Sequence, residues 1–180
     1  MPESGETVRA FVAVLLSEAA AREAERLLER LRPLARCRWV TRAQLHITLR
    51  FLGELSPAAV ERVRAAVAAV AVQPFDIELH RAGAFPNLAR PCTLWLGGDQ
   101  GASELTALAG RVNDALFEVG IPRNGRPFSP HLTLARSDGS PLPPALMREL
   151  ERVPSIAWCC TGISLMRSRL TPRGAVYTRL

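Results

Sequence analysis

Apolar and polar positions along this chain follow two rhythms. Val8 to Leu16 (VRAFVAVLL) is a nearly unbroken apolar run of strand length, as expected of a central strand buried on both faces. From Ser17 the spacing changes: a capping serine, Glu18 in the first turn and good helix formers to Leu31, before Pro33, predict a helix. Arg38-Trp39-Val40 is a short strand candidate, and Leu45 to Leu52 is a longer one ended by Gly53. Ser56-Pro57 opens a second helix reaching about Val72. Phe75 to Leu79 and Thr93 to Leu96 read as strands, with Ala84-Phe85-Pro86-Asn87 as a turn or loop between them and Gly97-Gly98 closing the second. Ser103 is the expected cap of a third helix, Glu104 to about Val119, stopped by Gly120. A loop from Ile121 to Pro130 then delivers a strand from His131 to Ala135. Pro143-Pro144 start a last helix to about Val153, and Ile156 to Leu180 reads as two strands around Thr171-Pro172-Arg173-Gly174.

One tetrapeptide in this pattern occurs twice. His46-Ile47-Thr48-Leu49 returns as His131-Leu132-Thr133-Leu134, 131 − 46 = 85 residues later. Strict alternation puts His46, Thr48 and Arg50 on one strand face, and Ile47, Leu49 and Phe51 on the core face. Each motif strand is followed by a helix in a comparable place. An α+β duplication is the architecture expected, with two lobes that each offer an inner strand to a shared cleft.

Composition narrows the class. The chain has 180 residues, of which 48% are hydrophobic and 22% charged, which describes a globular protein of one domain. No apolar run is long enough to span a bilayer and no signal segment opens the chain, so no membrane partner and a cytoplasmic location are expected. No interface signature stands out, and a monomer is the default. Net charge is +6, and all 23 basic residues are arginines. The excess suits an anionic partner and the guanidinium suits phosphate, although a bias for arginine over lysine would give the same count. The four cysteines, Cys37, Cys92, Cys159 and Cys160, lack zinc spacing and are expected to be buried free thiols in a reducing compartment.

The repeat supplies the chemistry. Histidine titrates closest to neutral pH, so two of them on facing strands form an acid and a base. Thr48 and Thr133 follow on the same face as donors for phosphate oxygens. His80 stands outside the motif and reads as structural. Arg123 and Arg126, on the loop before the second motif, read as ordinary loop charge or as steering for a phosphate backbone. No HExxH, GxSxG, P-loop or GxGxxG occurs, so neither a metal nor a nucleotide cofactor is expected.

Leu45 to Glu54 (LHITLRFLGE) and Ser129 to Arg136 (SPHLTLAR) resemble the two signature motifs of the two-histidine (2H) phosphoesterases, specifically the RNA 2′,3′-cyclic phosphodiesterases historically called 2′-5′ RNA ligases. The resemblance extends to Arg9 through Ala13, Phe85-Pro86, Leu94 through Gly97, and Leu165, Ser168, Leu170, Gly174 and Tyr177. It implies a single 1–180 domain of two intertwined, pseudo-symmetric lobes, with antiparallel sheets lining a central cleft and helices outside. It implies RNA or an oligonucleotide with a 2′,3′-cyclic phosphate end as partner, no cofactor, and hydrolysis to a 2′-phosphomonoester, with weak reversible 2′-5′ ligation in some members. By motif position, His46 and His131 are the acid/base pair, with His131 as base, and Thr48, Thr133 and Arg136 meet the phosphate. Alternation turns Arg136 away from His131, so its role requires a twist, a bulge or a strand end. The competing class is a module that uses the same groove to bind a nucleotide or RNA end without turnover.

Overall fold

The apolar run that opens the chain forms β1 (Val8–Leu15), an internal strand flanked by β3 (His46–Leu55) and β9 (Ser164–Thr171). The structure is a computed structural model and describes residues 6–180, so most of the polar stretch before β1 lies outside the described residues. With β10 (Gly174–Arg179) the first sheet has the order β10-β9-β1-β3, all antiparallel. The second sheet runs β2 (Arg38–Trp39), β7 (Leu132–Arg136), β6 (Thr93–Gly97), β5 (Arg81–Phe85), also antiparallel. β4 (Phe75–Leu79) and β8 (Ile156–Cys160) pair separately.

Four α-helices are formed among the described residues, α1 (Glu18–Leu31), α2 (Pro57–Ala69), α3 (Ala102–Glu118) and α4 (Pro144–Leu150), and none is long and apolar enough to cross a membrane. The two halves exchange pieces. α1 follows β1 yet packs on β8, while α3 follows β6 yet packs on β3 and α2. β2 crosses to pair with β7, and β9 and β10 return to join β1. A single buried cluster, from Val12 and Ile47 through Leu94 to Leu134 and Leu165, therefore spans both halves. Where the sheets meet, the two motif strands β3 and β7 lie against one another.

Local signals explain most boundaries. Ser17 and Ser56 cap as expected, their hydroxyl oxygens accepting from the backbone N–H groups of Ala20 and Ala59. Ser103 does not cap α3: its hydroxyl donates to Glu104, and the N-cap is Gly101 at φ +82°, where a Cβ would stand 2.6 Å from the Asp76 carbonyl oxygen. α2 stops at Ala69, before Val70 turns to ψ 111°. α4 stops at Leu150, shortly before Pro154, which disfavours helix in the preceding residue.

Three strand expectations are corrected. Gly53 does not end β3 but sits inside it at φ +70°, where the ladder to β1 slips by one residue. β5 occupies a stretch with no β-branched residue, Arg81-Ala82-Gly83-Ala84-Phe85, because Gly83 lets the Trp95 indole lie over the backbone, where a Cβ would come within 2.3 Å of the ring. The segment after Ile156 holds three strands instead of two, since β8 turns away to pair with β4 before β9 begins.

Gly98 and Gly110 separate steric from conformational effects. A Cβ at Gly98 would meet the Glu78 carbonyl oxygen at 1.9 Å, whereas at Gly110, inside α3, it meets nothing within 4 Å. Gly98→Ala is expected to lose at least about 2 kcal/mol in urea unfolding, and Gly110→Ala to gain about 0.5–1 kcal/mol. A tolerated Gly98→Ala would contradict the close approach of β4 to the strand end.

Candidate active site

The ladders do not alternate evenly through the motifs. In β3, Ala13 pairs with Thr48 and Val12 with Arg50, leaving Leu49 as an extra residue. In β7, Trp95 pairs with Thr133 and Leu94 with Ala135, leaving Leu134 as the extra residue. Each bulge falls on the fourth residue of its motif and inverts the faces beyond it. Arg136 therefore pairs with Thr93, two residues from Trp95 on β6, and shares the face of Thr133. Its Nη1 donates to Thr93 Oγ1 at 2.8 Å. The turn required to bring Arg136 round is this bulge.

The same inversion corrects two expectations in the first half. Arg50 pairs with the core residue Val12 and donates to the Pro122 carbonyl, so it leaves the His46 face and holds the loop after α3. Phe51 pairs with Phe11 and is 48% exposed, so it joins the His46 face and leaves the core, with the Arg9 guanidinium over its ring at 4.6 Å.

His46 and His131 are held alike. Nδ1 of His46 lies 2.8 Å from the Gln44 carbonyl oxygen, and Nδ1 of His131 lies 2.7 Å from that of Ser129. A carbonyl only accepts, so each Nδ1 carries a proton and the neutral ring has its lone pair on Nε2. His46 Nε2 stands 2.9 Å from Thr48 Oγ1. Gln44 is itself fixed: its side chain accepts from the Thr41 N–H in a capping box and donates to the Ala175 carbonyl of β10. In the second half Pro130 confines Ser129 to extended backbone.

Aromatic rings flank both imidazoles. Phe11 lies 4.7 Å and Tyr177 5.2 Å from His46, centroid to centroid, and Phe85 meets His131 edge-on at 4.9 Å. Burial pushes both histidines below their ordinary pKa. The carbonyl bonds oppose this, the charge of His131 lowers His46 further, and the Arg136 guanidinium lowers His131 further. The two rings and Arg136 thus share one electrostatic site.

Other candidates fall outside it. His80 helps line a cavity of about 190 Å³ with Ala82, Leu88 and Met147 that includes no motif residue. Arg123 pairs with Asp114 and stacks on Phe117, both of α3. Arg126 is exposed. All four cysteines are free, but only Cys160 is buried: Cys159 points out of β8 by alternation and Cys92 lies on an exposed loop, which corrects the expectation of buried thiols. Among the described residues no group of three or more His, Cys, Asp or Glu is gathered as a metal ion would require. The motif pattern assigns no role to Gln44, Phe11, Tyr177 or Phe85; for Gln44 the T-x-x-Q spacing from Thr41 is the available signal.

The model of the 2′-5′ RNA ligase superfamily matches residues 17–172. The chain belongs to this superfamily. Relatives named RNA 2′,3′-cyclic phosphodiesterase include those of Aquifex aeolicus, 33% identical with 95% of this chain and 94% of the relative covered, and Archaeoglobus fulgidus, 32% identical with 96% and 98% covered. Among solved structures, Thermus thermophilus TT0787 is 32% identical with a TM-score of 0.78 over 96% of this chain and 94% of that one. E. coli LigT complexed with 3′-AMP is 27% identical with a TM-score of 0.77 over 97% and 96%. The α+β architecture with antiparallel sheets is the one these superfamily members share.

Lowered histidine pKa values tie stability to pH in a definite sense. Above the ordinary histidine range both states are neutral. As pH falls through about 6.5 the unfolded chain binds protons that the folded chain refuses, and stability drops until the folded pKa is reached. Unfolding free energy from denaturant titrations at pH 7.5 and 5.5 is expected to fall more for the wild type than for a His46→Gln/His131→Gln double variant. Equal losses in the two proteins would remove the burial effect.

Proposed function

We propose that this chain hydrolyses 2′,3′-cyclic phosphate ends of RNA to 2′-phosphomonoesters, as a single domain in which His46 and His131 exchange protons with the substrate. The supporting observation is the matched pair of imidazoles, each fixed through Nδ1–H, on two adjoining strands that each carry a threonine two residues on, with Thr48 Oγ1 2.9 Å from His46 Nε2. The names of the relatives point to the same substrate.

A 2′-phosphate product requires that P–O3′ breaks while water attacks in line from the opposite side. His131 takes the proton from water as the new P–O bond forms, and His46 gives its proton to O3′ as that oxygen leaves. Arg136 supports this division of roles. Its charge favours the neutral, basic form of His131, and a neutral His131 no longer repels a proton on His46. Thr48 and Thr133 donate to the non-bridging oxygens, and Arg136 offsets charge gathering on phosphorus. The same step with a 5′-hydroxyl in place of water, its proton going to His131 and the His46 proton to the departing O3′, joins the two ends through the phosphate kept on O2′, which is 2′-5′ ligation.

The direct test incubates an oligoribonucleotide bearing a 2′,3′-cyclic end with the protein in EDTA. A 2′-phosphorylated product is expected without added metal. Binding without turnover would instead make this a binding module, and turnover restored only by a divalent ion would replace the two-histidine mechanism.

His46→Ala and His131→Ala are each expected to lose about 10²-fold or more in kcat, with His80→Ala near wild type. A nitrophenyl phosphodiester, whose leaving group needs no proton, is expected to restore His46→Ala in part and leave His131→Ala impaired. Rescue confined to His131→Ala would exchange the two roles.

A further inference from the structure

Arg38 lies on the short edge strand β2, directly opposite Arg136 of β7. The neighbouring pair, Trp39 and Ala135, faces the core, where Ala135 is fully buried, so Arg38 and Arg136 share the opposite face, that of Thr133. Like charges on directly opposed residues are unfavourable, and Arg136 leans away, across β7 to Thr93 of β6. Arg38 makes no ion pair or side-chain hydrogen bond among the described residues, and Arg136 donates only to the uncharged Thr93 hydroxyl. Asp138, two residues past Arg136, accepts from the Ser140 N–H at 2.9 Å and pairs with neither. An opposed and unpaired arginine couple on the site face is a place for anions that the free protein does not supply.

We propose that Arg38 binds a second phosphate of the substrate, the phosphodiester on the 5′ side of the nucleotide that carries the cyclic end. The proposal rests on the reading of this site as one for 2′,3′-cyclic phosphates. Arg136 acts electrostatically on His131 and so belongs to the reacting phosphate. The backbone of Arg38 stands one strand spacing from that of Arg136, about 4.8 Å, and from there its long side chain has the reach to meet the neighbouring phosphate of an RNA strand. A cyclic phosphate terminates the 3′ end, so the only other phosphate on that terminal nucleoside is at its 5′ oxygen. The site is thereby a reader of chain against monomer: it favours an oligonucleotide end, or a 5′-phosphorylated nucleotide, over a nucleoside 2′,3′-cyclic phosphate with a free 5′-hydroxyl.

The test compares kcat/KM for adenosine 2′,3′-cyclic phosphate with that for the dinucleotide ApA ending in the same cyclic phosphate. The wild type is expected to favour the dinucleotide, and Arg38→Gln to reduce the dinucleotide-to-mononucleoside ratio about tenfold, mainly through KM. Arg38→Lys is expected to restore part of the ratio. The advantage of the dinucleotide should also shrink with added salt in the wild type and not in Arg38→Gln. An unchanged ratio in Arg38→Gln overturns the assignment, as does an equal loss on both substrates. If the wild type turns over neither substrate, the phosphodiesterase reading itself falls and this inference falls with it.

Discussion

A β-strand shows successive side chains to opposite faces, and this site exists because that rule is broken once in each motif. The extra residues Leu49 and Leu134 are both apolar and buried, so each bulge deepens the core as it shifts the face of the residues beyond it. Without the second bulge Arg136 would turn away from His131, and without the first Phe51 would enter the core while Arg50 entered the cleft. A repeated leucine in the fourth position is thus more than core filler. It fixes which of the next two side chains shares the face of the histidine.

Upstream of the bulges, the two halves reach the same imidazole geometry by different local means. His46 hangs from the Gln44 carbonyl at the end of a one-turn 3₁₀ segment, Arg42–Gln44, closed by a capping box and tied to β10. His131 hangs from Ser129 in extended backbone set by Pro130. In both the tether removes the choice of tautomer, and the aromatic neighbours remove water. A ring that is desolvated is a poor holder of a second proton even when bonded at Nδ1, and both histidines lie below their ordinary pKa.

Much of this is legible in the residues alone. The long strands, the serine caps of α1 and α2, the turn before Gly174, the duplicated motif and the separation of His80 from it can all be read from spacing. Features that depend on partners distant in sequence are not legible in this way. β5 is a strand because Trp95 and β6 hold it, not because Ala82, Gly83 and Ala84 favour it. Likewise the bulges that move Arg50, Phe51 and Arg136 are properties of a ladder between two strands, and a single strand read by strict alternation cannot contain them. Gly53 carries the one local hint, a residue free to take positive φ, and it marks a second slip in β3 instead of the strand end.

Duplication by itself would leave the two halves of the cleft alike, because equivalent histidines in equivalent settings have equivalent affinities for a proton. The sixth residue of each motif breaks that equivalence. In the first half it is Phe51, paired with Phe11 and covered by Arg9; in the second it is Arg136, paired with Thr93 and opposed by Arg38. At this position one half of the cleft therefore carries an aromatic ring and the other a guanidinium. The cation beside His131 disfavours a charged ring there, while the cation in the other half lies over the Phe51 ring. Two histidines that share a tetrapeptide, a tether and a tautomer are in this way set beside different groups, His131 beside the Arg136 guanidinium and His46 beside His131, by side chains that lie beyond the repeat and differ between its copies.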